Sequence, residues 1–222
     1  MKVCTDSCLF GASIADKIAN KVIRPQQILD IGSGTGLLSL MIAQKCDSEI
    51  DAVEIDMESY KQTVENFTKS PYSNTLHAYL KDIKNWESQK KYDLIISNPP
   101  FFENDLKAAK QNKNVAKHSN DLSFTELVIS VKNNLAANGN FAVLLPFHRN
   151  EYFKKLALEN GFFLREELLV KQTPSHSYFR SILFFKLSSS QIFSKKEIVI
   201  KDETGNYTED FTVLLKDYYL NL

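Results

Sequence analysis

The 222 residues carry 27 Lys+Arg against 27 Asp+Glu, a formal net charge of zero, with 43% hydrophobic and 11% aromatic content. This length and apolar share suit one α/β domain with small additions, and the charge balance argues against strong non-specific attraction to nucleic acid, so any basic surface must be local. The chain has no run of eighteen apolar residues and nothing like a signal peptide. Cys4, Cys8 and Cys46 lack zinc-site spacing, and His77, His118, His148 and His176 are scattered. A cytoplasmic protein with free thiols, no membrane span and no metal is the expectation.

The chain opens with Thr5-Asp6-Ser7, where Thr5 or Asp6 can cap a helix running towards Val22. Small Gly11 and Ala12 permit close packing there, and the segment reads either as an ordinary first helix or as a lid beside a ligand site. Gln27–Ile31 follows as a strand, then Gly32-Ser33-Gly34-Thr35-Gly36, then an apolar helix start, Leu37–Ala43. Such a strand, glycine turn and helix lets backbone approach a ligand beneath a helix N-terminus. A dinucleotide fingerprint requires glycine at position 37, where this chain has leucine.

Residues 48–53 read as a second strand ending at Glu54, placed where nucleotide-binding folds hold ribose hydroxyls. Asp56 caps a helix from Met57 to about Lys69. Thr75–Leu80 alternates into a third strand, followed by Asp82-Ile83. Tyr92–Ser97 is a fourth, and Asn98-Pro99-Pro100-Phe101 ends it abruptly, because neither proline has an N–H for a ladder. Pro99 also drives Asn98 towards extended geometry. Taken alone, this is a stiff turn. Read chemically, the Asn98 side-chain oxygen and the Pro99 carbonyl can each accept one N–H of a planar amino group, which favours the pyramidal nitrogen formed during attack, while Phe101 offers a stacking face.

Residues 102–121 show little periodicity and hold Lys107, Lys110, Lys113 and Lys117, either a solvated excursion or a flap whose lysines reach phosphates. A helix over Phe124–Leu135 ending near Gly139, a strand over Phe141–Pro146 and a helix over Arg149–Asn160 follow. Phe163–Val170 and Ser181–Lys186 read as an antiparallel pair, since their link is too short for a parallel crossover. Glu197–Lys201 reads as an edge strand, and Tyr207–Leu220 as a closing helix with Phe211, Leu214, Leu215 and Tyr218 on one face. With no repeat or linker, residues 1–222 are expected to form one domain: an N-terminal helix or lid (1–22), a core (23–187) and a C-terminal strand and helix (188–222).

Asp30 before the three glycines, Glu54, Asp82 and Asn98-Pro99-Pro100-Phe101 together resemble class I S-adenosylmethionine-dependent methyltransferases. The resemblance implies a Rossmann-like α/β fold with a seven-stranded, mostly parallel sheet, an antiparallel last strand and helices on both faces. It implies S-adenosylmethionine as cofactor, held by Asp30, Gly32, Ser33, Gly34, Thr35, Gly36, Glu54, Asp82, Ile83 and Asn98. In this family the acid before the glycines orients the amino-acid end, Asp82 receives the adenine amino group and Ile83 packs on the ring. The catalytic loop is then Asn98, Pro99, Pro100 and Phe101.

Thr5-Asp6, Leu9, Gly11-Ala12, Lys117-His118-Ser119, Leu122-Ser123-Phe124 and Tyr207-Thr208-Glu209-Asp210-Phe211 extend this resemblance to the adenine methyltransferases that modify adenosine 37 of a valine tRNA. That family implies tRNA as partner, with Lys107, Lys110, Lys113, Lys117, Arg149 and Arg180 as candidate contacts. Two departures stand out. Phe101 replaces a common tyrosine, and relatives carry a short segment ahead of the residue matching Met1, part of a substrate-facing lid. A protein glutamine methyltransferase, a ribosomal RNA guanine methyltransferase and a catalytically silent RNA-binding module remain as alternatives. The first usually brings an extra N-terminal helical domain and the second often a duplicated domain. The third has no need of Asp30, Glu54 and Asn98 together.

Overall fold

The computed structural model describes residues 4–100, 122–189 and 192–220. Its strands are β1 (Gln27–Ile31), β2 (Glu49–Glu54), β3 (Leu76–Leu80), β4 (Tyr92–Ser97), β5 (Leu135–Pro146), β6 (Phe163–Lys171), β7 (Tyr178–Lys186) and β8 (Ser194–Val199). The helices are α1 (Thr5–Ala19), α2 (Leu37–Ala43), α3 (Met57–Lys69), α4 (Phe124–Asn134), α5 (Asn150–Glu159) and α6 (Glu209–Leu215). The strands make one eight-stranded sheet in the order β3-β2-β1-β4-β5-β7-β6-β8. β7 runs antiparallel to both neighbours, whereas β8 pairs in parallel with β6. The sheet is therefore one strand larger than the resemblance implies. The extra strand is the edge segment expected near Glu197, shifted to start at Ser194.

The apolar runs are continuous because both sheet faces are covered. Ile28, Leu94, Ile96, Ala142, Leu144, Ile182 and Phe184 share one buried cluster with α1, α2 and α6 residues. Their strand neighbours Leu29, Ile95, Phe141, Val143, Leu183 and Phe185 point the other way, onto Leu127, Val131 and Phe153 of α4 and α5. The two-residue period of strands sends alternate side chains into opposite layers.

Several boundaries moved for identifiable reasons. α1 is capped by Cys4 without a side-chain bond, so neither Thr5 nor Asp6 serves as the cap, and Asp6 instead pairs with Arg180. α4 ends at Asn134, and Leu135 turns extended to pair with Tyr92 of β4. Gly139 therefore lies inside β5, where a Cβ would come 2.9 Å from the Tyr92 carbonyl oxygen. α6 covers only Glu209–Leu215, starting where the Thr208 hydroxyl accepts the Phe211 N–H.

The C-terminal helix is anchored by two fully buried side chains, Phe211 and Leu215. Phe211 is fully buried and stacks on Tyr207, with centroids 4.9 Å apart and planes 17° apart. We expect Phe211→Ala to cost about 3–5 kcal/mol, because the cavity cannot be refilled from a seven-residue helix. Thermal unfolding followed by circular dichroism should show a midpoint lowered by roughly 10 °C. A midpoint within about 2 °C of the parent would show that α6 contributes little to the fold.

Candidate active site

β1 is flanked by β2 and β4 in parallel, so the strand order reverses between β1 and β4. Crevices that bind ligands open at such reversals, beyond the carboxyl ends of the strands. Here Ile31 pairs with Ser97, so the glycine loop after β1 and Asn98 after β4 leave the sheet side by side. The Ser97 hydroxyl donates to the Ile31 carbonyl at 2.9 Å and ties the two strand ends together.

Gly32, Gly34 and Gly36 have φ values of 71°, 60° and 78°. At Gly36 a Cβ would also lie 2.5 Å from the Phe67 ring, so only glycine fits. α3 grips this loop from outside. The Thr63 hydroxyl donates to the Gly34 carbonyl at 2.7 Å, and Asn66 Nδ2 donates to the Thr35 carbonyl at 2.9 Å. Thr63, Asn66 and Phe67 share one face of α3, a spacing of three and four residues visible in the sequence. What the sequence did not show was the loop they face.

Glu54 does not present two empty oxygens to a ribose. Its Oε2 accepts the Gly34 N–H at 2.8 Å, and its Oε1 accepts the N–H groups of Ile55 and Asp56 at 2.8 and 2.9 Å. A carboxylate has about four lone-pair sites, so about one remains beyond these three bonds. Asp82 likewise caps a 3₁₀ turn at Ile83–Asn85, with Oδ1 accepting the Lys84 N–H at 2.9 Å and Oδ2 3.4 Å from the Lys84 ammonium. Ile83 is buried in the cluster with Leu29, Ile31 and Val53, so little of it is open to a ring.

Asp30 is fully buried beneath the loop. Its Oδ2 accepts the Ser39 hydroxyl at 2.8 Å, while its Oδ1 has no partner among the described residues. The Ser33 hydroxyl is also buried without a partner. Burial, reinforced by the nearby Glu54 charge and opposed by the Ser39 bonds, pushes Asp30 up to about 7. An orphaned, desolvated carboxylate oxygen beneath the glycine loop suits a ligand that brings a cationic or N–H donor.

Asn98 is half-buried, with Pro99 buried and Pro100 exposed. Its Nδ2 donates to the Ser7 hydroxyl at 2.9 Å, and its Oδ1 is buried with no partner among the described residues. Phe101 and the lysines at 107, 110, 113 and 117 lie outside the described residues. The two arginines expected at an RNA surface are otherwise engaged. Arg149 is only 7% exposed, with its guanidinium over the Phe124 ring, so it is a packing residue in this conformation. The Arg180 Nε donates to Asp6 Oδ2 at 2.7 Å and its Nη1 to the Phe179 carbonyl.

Residues 2–143 match the methyltransferase small domain family. The chain belongs to that family. Among its relatives, the tRNA1(Val) (adenine(37)-N6)-methyltransferase of Pseudoalteromonas translucida (strain TAC 125) is 37% identical over 100% of this chain and 93% of its own length. The enzyme of the same name from Bacteroides fragilis (strain YCH46) is 34% identical over 100% of this chain and 92% of its own. A crystal structure of a predicted O-methyltransferase from Agrobacterium tumefaciens superposes with a TM-score of 0.67 at 13% identity, covering 97% of this chain and 99% of that one. At that identity the likeness concerns the fold, which is the α/β methyltransferase fold.

Asp30 gives this member of the family a pH signature. Its folded pKa, about 7, stands above the ordinary 3.8, so the folded protein binds more protons between those values. The contribution is therefore fully present below about 3.8 and is lost as pH rises to about 7. Asp30→Asn, which keeps the shape and removes the buried charge, should unfold at a higher temperature than the parent at pH 8, with the gap closing towards pH 4. Thermal melts at both pH values measure this, and a variant less stable than the parent at pH 8 would mean that the ionised carboxylate is held by more than Ser39.

Proposed function

We propose that this chain transfers the methyl group of S-adenosyl-L-methionine to the exocyclic N6 of adenosine 37 in a valine tRNA, in the cytoplasm. The observation that carries this reading is the buried, unpartnered Oδ1 of Asn98, set on a proline-stiffened strand end beside the glycine loop. An acceptor held there suits a planar amino group, which brings only donors.

The orphan oxygen of Asp30 and the glycine loop fit the cofactor's amino-acid end. A carboxylate beneath the loop takes the ammonium, and the left-handed glycines let backbone come close. Glu54 has its remaining acceptor capacity for a ribose hydroxyl, and the bond from the Gly34 N–H makes it a brace of the loop as well. Asp82 follows the end of β3 for the adenine amine, and Ile83 offers the ring only the small part of its side chain that the core leaves open. Bound there, S-adenosyl-L-methionine supplies a methyl group on a positively charged sulfur, ready for in-line displacement.

The chain's own work is positioning. Asn98 Oδ1 and the Pro99 carbonyl accept the two N–H groups of the amine, which favours the pyramidal nitrogen and aims its lone pair. The methylated amine is acidic and loses its proton to water, so no strong base is required. Adenosine 37 lies in a loop, where a base is extruded cheaply.

Because the chain has no net charge, RNA must be held by local groups. Lys107, Lys110, Lys113 and Lys117 follow the Asn98-Pro99-Pro100 turn in sequence and remain our candidates. Arg180, held by Asp6 through Nε, has further N–H donors with which to join them, and Arg149 is withdrawn as a contact because it is buried in this conformation.

Asn98→Ala tests the reading. Removing one acceptor used only in the transition state should lower kcat on tRNA about a hundredfold, equivalent to about 3 kcal/mol. The cofactor Kd by calorimetry should stay within about twofold, since Asp30 and the glycine loop are untouched. Near-parental turnover in the variant would remove Asn98 from the chemistry.

A further inference from the structure

Ser7 and Asp6 sit at the start of α1, far in sequence from Asn98. We propose that Ser7 is a positioning residue for the Asn98 amide, anchored through Asp6 and Arg180. The inference rests on the role assigned to Asn98 above and concerns what holds that side chain in place.

The contacts form a continuous path over the carboxyl ends of β4 and β5 to the amino end of antiparallel β7. Asn98 Nδ2 donates to the Ser7 hydroxyl at 2.9 Å. The Ser7 backbone N–H is 3.0 Å from Asp6 Oδ1, and the other Asp6 oxygen accepts from Arg180 Nε at 2.7 Å. Arg180 lies on β7 opposite Pro146 of β5, so the path runs from β4 over the end of β5 to β7. Its support is rigid, because the next turns of α1 are core: Leu9, Phe10, Ile14 and Ala15 are fully buried. α1 also contacts α2 and α6. The first turn of α1 is thus fixed relative to the sheet without needing its own cap.

An asparagine amide turns about a broad terminal torsion, and its two ends differ in the chemistry they offer. Unless its plane is held, Asn98 can offer an N–H to an amine that is itself all donor. The Ser7 hydroxyl can donate as well as accept, so it holds the plane, and the target amine then selects the orientation in which Nδ2 meets Ser7 and Oδ1 faces the amine. That orientation is the one in which Oδ1 is buried and unpartnered. Ser7 touches neither reacting atom. It acts through Asn98, and Asp6 acts through Ser7.

A positioning role separates from a packing role in four measurements. Ser7→Ala should lower kcat on tRNA about tenfold, the effect of one lost hydrogen bond to a neutral group, with KM for tRNA and the Kd for S-adenosyl-L-methionine within about twofold. Ser7→Thr keeps the hydroxyl and should restore most of the rate. In the Asn98→Ala background Ser7→Ala should have little further effect, because its only route to the chemistry is gone. The fourth readout needs no turnover. In ¹⁵N-labelled protein the Asn98 side-chain amide resonance, assigned by its loss in Asn98→Ala, should show slow hydrogen exchange that Ser7→Ala removes and Ser7→Thr preserves.

The proposal is overturned by a parental kcat in Ser7→Ala, by a Ser7→Thr as slow as Ser7→Ala, by a full additive loss in the double variant, or by an amide resonance indifferent to Ser7. A parent that methylates no tRNA, with the resonance behaving as expected, would instead refute the tRNA reading and uphold the Ser7 hold on Asn98.

Discussion

Everything at the candidate site depends on the parallel ladder between β1 and β4. Register alone brings Ile31 opposite Ser97, so that a glycine loop and an Asn-Pro-Pro turn, more than sixty residues apart in sequence, emerge as neighbours. The ladder is secured by apolar burial on both faces, since every one of Ile28, Leu29, Leu94, Ile95 and Ile96 is fully buried. A slip of one residue would send each of these side chains into the wrong layer and part the two loops. The Ser97 hydroxyl, bonded to the Ile31 carbonyl, adds a directional tie at the very edge where the sheet stops.

At the crevice, two acceptors and the Ser33 hydroxyl are left open among the described residues. Asp30 Oδ1 and Asn98 Oδ1 are both buried and both lack partners. An unsatisfied buried polar atom costs on the order of 1–3 kcal/mol, so a fold that keeps such atoms at this crevice is less stable than it could be. The proposed function assigns the acceptor beneath the glycine loop to a charged amine and the one at the strand end to a neutral amine. Other polar groups nearby are spent on structure. Glu54 braces the loop, Thr63 and Asn66 grip it, and Asp82 caps a turn.

The parts legible in the sequence were those written in local chemistry. Glycine spacing after an apolar strand marked the loop, and two prolines after Leu94-Ile95-Ile96 marked where β4 must stop. The short link between β6 and β7 forced an antiparallel pair. What escaped was tertiary. Ser7 reads as one more polar residue in a first turn, and only the packing of α1 sets it against Asn98. Asp6 read as a cap because caps are local, yet a partner 174 residues away on β7 took its carboxylate. Arg149, charged and at a strand end, looked like a surface group, but its guanidinium lies over Phe124 and the side chain is buried. Glu54 ends β2 as expected, whereas its bond from the Gly34 N–H depends on how β2 meets the loop.

The most direct measurement is methyl transfer from labelled S-adenosyl-L-methionine into unmodified total tRNA, followed by nucleoside analysis and mapping of the labelled species. The account predicts label in N6-methyladenosine, at position 37 of a valine tRNA, and none in tRNA carrying guanosine at that position. Label in methylguanosine, or in protein glutamine with the tRNA left unmodified, would contradict it.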